Sequence, residues 1–182
     1  RVRPGQLLVG ADSHTCMLGA VGAFATGMGS TDIAAVLLTG QTWLEVPESI
    51  RVAFKGRLAA GVSAKDLVLH LTWRLGNGGA NDCVLEYSGP GVAGLCLDDR
   101  LTLSNMAVET GATAGIMPYD DADRGSYGPG EGLEADPGAR YCRSIEIDLA
   151  GLEPQVAHPD GFQRVGPVGE AAGTPIHQAF LG

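Results

Sequence analysis

Gly10-Ala11-Asp12-Ser13-His14-Thr15 follows the apolar run Gln6-Leu7-Leu8-Val9, so a carboxylate, a hydroxyl and an imidazole stand in consecutive positions at the end of a predicted strand. No other stretch is as dense in reactive groups, and side chains held at the end of a rigid element are well placed for chemistry. The same residues also suit an ordinary turn and helix cap, with Asp12 or Ser13 accepting from free backbone N–H groups. The next segment, from Leu18 to Gly29, is small and apolar, with glycines at 19, 22, 27 and 29. Glycine costs a helix about 1 kcal/mol relative to alanine, so this density indicates backbone brought close to a neighbour or ligand.

Outward from this stretch the pattern is strand, turn and helix in alternation, an α/β chain. A small-residue helix is expected from about Met17 to Thr26, and a second, capped by Ser30 or Thr31 with Asp32 in its first turn, runs to Leu38 before Gly40. A phosphate-loop reading of the glycines fails, because that motif needs a lysine after glycine and the first lysine is Lys55. Val46-Pro47 marks a boundary; beyond it Ile50, Val52 and Phe54 alternate as a half-buried strand, and Ser63 with Asp66 begins a helix to Leu75 whose inner face is Leu67, Val68, Leu71 and Leu75. His70, in this helix, reads as a boundary or surface histidine. Further on, Cys83 to Tyr87 is a strand and Asp98 or Asp99 opens a helix to about Thr110, on which Asn105 and Glu109, four residues apart, share a face. Thr113 to Met117 and Ser144 to Leu149 read as strands, 120–138 as an exposed Gly- and Pro-rich excursion, and Ile176 to Gly182 as an apolar, strand-like run. His158 and His177 belong to no catalytic pattern.

The 182 residues include 45% apolar side chains, enough for a sizeable core. A formal charge of −9, with two lysines and scattered arginines, argues against nucleic acid or an anionic membrane as partner. No apolar run approaches the roughly 20 residues that span a bilayer, and no signal-peptide pattern opens the chain. Cys16, Cys83, Cys96 and Cys142 lie far apart without C-x-x-C spacing, so no metal motif is visible. We therefore expect a soluble, cytoplasmic protein with reduced thiols.

The run Gly10-Ala11-Asp12-Ser13-His14-Thr15-Cys16, continued by Gly19-Ala20-Val21-Gly22-Ala23-Phe24-Ala25-Thr26-Gly27-Met28-Gly29-Ser30-Thr31-Asp32, resembles the signature of the aconitase superfamily, and most closely its isopropylmalate dehydratase and homoaconitase large-subunit branch. Thr39-Gly40-Gln41-Thr42-Trp43-Leu44-Glu45-Val46-Pro47-Glu48, Gly61-Val62-Ser63-Ala64-Lys65-Asp66-Leu67 and Leu103-Ser104-Asn105-Met106-Ala107-Val108-Glu109 are similar too. The resemblance implies an aconitase-type α/β/α layered segment, with mixed sheets and flanking helices. The Val46-Pro47 boundary and the Gly- and Pro-rich loops divide the chain into 1–47, part of a first aconitase-type domain in this reading; 48–162, a second α/β domain; and 163–182, the start of a third.

It also implies a hydro-lyase that moves a hydroxyl between adjacent carbons of a hydroxy acid, 3-isopropylmalate in leucine biosynthesis being favoured over homocitrate, homoaconitate or citrate. A [4Fe–4S] cluster would supply the Lewis acid. Its three cysteine ligands are expected beyond this chain, after a run like Phe180-Leu181-Gly182, so the chain reads as an internal segment, inactive alone and offering no metal ligand. Carried onto matching positions, His14 would protonate the departing hydroxyl, Ser13 would bond a substrate carboxylate and Asp12 would orient an upstream histidine. Glu109 and Asn105 would lie near the cluster, with Glu109 in hydrogen-bond reach of His14. The carbon base would come from a swivelling small subunit or domain. A noncatalytic module that kept the fold and binds a partner is the alternative.

Overall fold

The computed structural model describes residues 2–119, 133–159 and 164–181. Strand β1 (Leu7–Gly10) pairs in parallel with β2 (Phe24–Gly27), Leu7 opposite Phe24 and Gly10 opposite Gly27. The expected helix over 17–26 is replaced by a 3-10 helix, Ser13–Val21, followed by β2. Gly22 turns the chain at φ +75°, and Gly19 packs where no side chain fits: a Cβ there would fall 2.0 Å from the Gly115 carbonyl oxygen. Close approach to the backbone at Gly115, rather than helix propensity, decides this segment.

Helix α1 (Ser30–Thr39) begins one residue after Gly29, which caps it without a side chain, so neither Ser30 nor Thr31 takes the capping role. Asp32 does lie in its first turn, and Gly40 ends it at φ +69°. None of its residues is buried, and Leu37, Leu38, Trp43 and Val46 are exposed.

The principal sheet holds β3 (Glu48–Lys55), β4 (Cys83–Ser88), β5 (Ala114–Ile116) and β6 (Arg143–Asp148), all parallel, in the order β5-β4-β3-β6. Ile50, Val52 and Phe54 of β3 point to one face, as their alternation predicts, and meet Leu67, Val68, Leu71 and Leu75 of α2 (Ala64–Leu75). Each such burial is worth about 1.5–3 kcal/mol. The capping box of α2 is formed: Ser63 Oγ accepts from Asp66 N and Asp66 Oδ2 accepts from Ser63 N. The main apolar cluster draws its members from Ile50 to Leu152.

Helix α3 (Leu97–Asn105) gives way to a 3-10 helix, Met106–Thr110, that ends at Gly111. The single helix expected to Thr110 therefore breaks at Asn105. A hairpin of β7 (Gln155–Ala157) and β8 (Val165–Pro167) packs on α2. The strand-like run at 176–182 forms no strand among the described residues; Ile176, Phe180 and Leu181 are exposed. Most of the excursion expected at 120–138 lies outside the described residues, while 133–138 is exposed coil and turn. Among the described residues no helix is long and apolar enough to cross a membrane.

Candidate active site

Asp12 ends the turn after β1, and its Oδ1 accepts from the His14 backbone N–H at 2.7 Å, starting the 3-10 helix. The capping role is thus real. Its carboxylate also stays within 3.6 Å of His14 Nδ1. Ser13 Oγ lies 3.1 Å from the same Nδ1, so either atom donates according to the protonation of the imidazole. Gly27 permits this arrangement, since a Cβ there would meet the Asp12 carbonyl oxygen at 2.6 Å and Ser13 Cα at 2.8 Å.

The other wall comes from the end of α3. The 3-10 helix Ser13–Val21 packs along α3 and β5, tied by the Met117 N–H donating to the Gly19 carbonyl at 2.9 Å. Cys16, 1% exposed, donates from Sγ to the Asn105 carbonyl at 3.4 Å. Burial pushes its thiol above the ordinary range, which suits a structural tie rather than a nucleophile. Sequence reasoning missed this tie, which follows only from the packing of two distant segments.

These contacts bring His14 and Glu109, 95 positions apart, face to face: Nε2 lies 3.6 Å from Oε1, with the side chains 43% and 36% exposed. The distance is longer than the expected hydrogen bond and within ion-pair reach. Asp12, Ser13, His14 and Glu109 are all solvent-accessible, while Asn105, half-buried, contributes the carbonyl that Cys16 bonds. Such a group can hold a proton between imidazole and carboxylate and offer a hydroxyl to an anion.

Two clefts lie elsewhere. One of about 330 Å³ is lined by His70, Trp73, Glu153 and Glu170; burial and the Arg74 charge hold the half-buried His70 below the usual imidazole range. The other, about 570 Å³, is lined by Glu86, Tyr87, Leu133 and Tyr141. Neither includes the His14–Glu109 pair.

The four cysteines are free thiols that do not converge on one point. Cys16 is buried and bonded to backbone, Cys96 stands at the start of α3, and Cys83 and Cys142 approach each other at the end of the sheet where β3 and β4 begin. Among the described residues no three His, Cys, Asp or Glu side chains could share a metal ion.

A family model described as the aconitase family (aconitate hydratase) matches residues 1–180. The 3-isopropylmalate dehydratase large subunit 1 of Methanopyrus kandleri is 48% identical over 186 residues, covering 100% of this chain and 44% of the relative. The corresponding large subunit of Oleidesulfovibrio alaskensis is 47% identical over 187 residues, with the same shares. A protein of Methanosarcina mazei named "Probable methanogen homoaconitase large subunit" is 45% identical over 184 residues, covering 98% of this chain and 47% of its own. The chain thus spans less than half the length of these relatives.

Proposed function

Because the chain belongs to the aconitase family, we propose that it forms one wall of the active site of a hydro-lyase large subunit acting on 3-isopropylmalate. The relatives' names support that substrate, and the homoaconitase-named relative supplies the alternative. The observation that carries the reading is the meeting of His14 and Glu109 beside Ser13, across 95 positions of sequence. The two walls correspond to the proposed first and second domains, 1–47 and 48–162, with 163–182 leading into a third. The partners in this reading are a swivelling small subunit and a small hydroxy acid, in a cytoplasmic setting.

Dehydration needs a proton on the leaving hydroxyl and donors that fix the carboxylates. With His14 protonated, Nδ1–H donates to Ser13 Oγ, which frees the Ser13 proton for a substrate carboxylate. The Nε2 proton, which faces Glu109 Oε1, passes to the departing oxygen, and Glu109 and Asp12 hold the ring from its two sides. The family's [4Fe–4S] cluster would take its ligands from outside this chain, so the steps assigned here are proton movement and carboxylate binding.

The test is turnover of 3-isopropylmalate by the full-length large subunit joined to its small subunit. His14→Gln should lower kcat by about 10²–10⁴-fold. Normal turnover by that variant would refute the role, and preference for homocitrate over 3-isopropylmalate would move the substrate to the homoaconitase alternative.

A further inference from the structure

We propose that Cys83 and Cys142 form a two-thiolate site for a soft, thiophilic metal ion at the end of the four-stranded sheet where β3 and β4 begin, independent of the His14–Glu109 pair. Cys83 opens β4 and Cys142 immediately precedes β6, so the two thiols flank the start of β3 from opposite sides. Their Sγ atoms converge to 4.0 Å. Both residues are held by backbone bonds: Cys142 N and Sγ each donate to the Ser49 carbonyl, at 3.0 and 3.3 Å, and the Cys83 carbonyl accepts from Thr113 N at 2.8 Å. The side chains are half-buried and exposed respectively, and therefore reachable.

The separation selects the ligand. Two metal–sulfur bonds of about 2.3 Å span roughly 3.8 Å at a tetrahedral angle and roughly 4.6 Å when linear. The observed 4.0 Å corresponds to an S–metal–S angle of about 120°. A direct disulfide fits less well, because β4 and β6 are two strand spacings apart, about 9.5 Å, whereas disulfides hold their Cα atoms roughly 4.4–6.8 Å apart. Thiolates select d¹⁰ and other soft ions over hard ones. Two carboxylates stand beside the pair as well, Glu48 opposite Cys83 in the β3–β4 register and Asp82 next to it in sequence, a setting that favours a cation. Among the described residues no third side chain completes the set, which leaves water for the remaining positions.

Cd²⁺ titrated into the full chain under reducing conditions is the probe. The expected result is a thiolate-to-metal charge-transfer absorbance that saturates at one equivalent, disappears in Cys83→Ser and in Cys142→Ser, and survives in Cys96→Ser. A second measurement needs no variant: Cd²⁺ should slow alkylation of Cys83 and Cys142 together, by about tenfold or more, while leaving Cys96 unchanged. Absorbance that persists in both serine variants, or equal alkylation rates with and without Cd²⁺, would overturn the site. Rapid formation of a Cys83–Cys142 disulfide without Cd²⁺ binding would overturn it too.

Discussion

Gly19→Ala tests how the two walls of the site are held together. The added Cβ would sit 2.0 Å from the Gly115 carbonyl oxygen and 2.9 Å from its carbonyl carbon, both backbone atoms that no rotamer change can move. Restoring ordinary contact needs a shift of about 1 Å or more between the 3-10 helix Ser13–Val21 and β5, and such overpacking costs about 1–3 kcal/mol. The same movement weakens the bond from Met117 N to Gly19 O, a further loss of about 0.5–1.5 kcal/mol. A total of about 1.5–4.5 kcal/mol corresponds to a Tm lowered by roughly 3–18 °C for a chain of this size. Because His14 rides on the displaced helix, the full-length enzyme should also lose about 10²-fold in turnover, the usual effect of a 1 Å misplacement. Thermal unfolding of the chain is the first assay. Gly151→Ala, where an added Cβ meets nothing within 4 Å, is the control and should change stability by under about 0.5 kcal/mol. A Gly19→Ala protein that melts with the parent would refute the steric seam.

Two further substitutions probe the core that supports the site. Burial tends to raise the Asp66 carboxyl, but bonds from Gln155 N, Ser63 Oγ and Ser63 N outweigh it and hold the group below the usual carboxylate range. Its stabilisation is therefore complete above the unfolded value near 3.9 and is lost as pH falls through the lower folded value; Asp66→Asn should cost about 1–3 kcal/mol at pH 7 and flatten the acid limb of a urea-midpoint profile. An unchanged acid limb would contradict this account. Arg100, 2% exposed, donates to the carbonyls of Leu95, Val92 and Pro118, joining α3 to the loops on either side. Arg100→Met should leave buried carbonyls short of donors and destabilise by about 2–4 kcal/mol, read from chemical denaturation at constant m.

The parts of the fold that were legible in the sequence are those governed by one local rule. Ile50, Val52 and Phe54 alternate and are buried on one face; Ser63 and Asp66 cap α2 as their spacing requires; Gly40 ends α1. The failures share a cause. The segment after Met17 looked helical because its residues are small and apolar, yet Phe24 to Gly27 becomes a strand because β1 is there to pair with it. Ser30 is simply the first residue of α1, Gly29 taking the position before it. The run at 176–182 has the composition of a strand without a partner among the described residues. Propensity proposes and tertiary contact decides.

The site shows the same division more sharply. Asp12, Ser13 and His14 are adjacent in sequence, so their clustering needs no fold, but nothing local connects them to Glu109. The expected shared helical face of Asn105 and Glu109 does not supply the link either. Four residues advance an α-helix by about 40° from a full turn, whereas in a 3-10 helix they leave the two side chains about 120° apart. The structure has the α-helix end at Asn105 and the 3-10 stretch begin at Met106, so Glu109 departs from the direction an unbroken helix would give it. The contact with His14 depends instead on the glycine seam at Gly19 and Gly115 and on the Cys16 tie to the Asn105 carbonyl. If that dependence is real, Cys16→Ala, which deletes the tie while leaving every polar group of the site intact, should impair turnover of the full-length enzyme more than it changes affinity for the hydroxy acid. Equal loss in kcat and in affinity would instead make Cys16 a general packing residue.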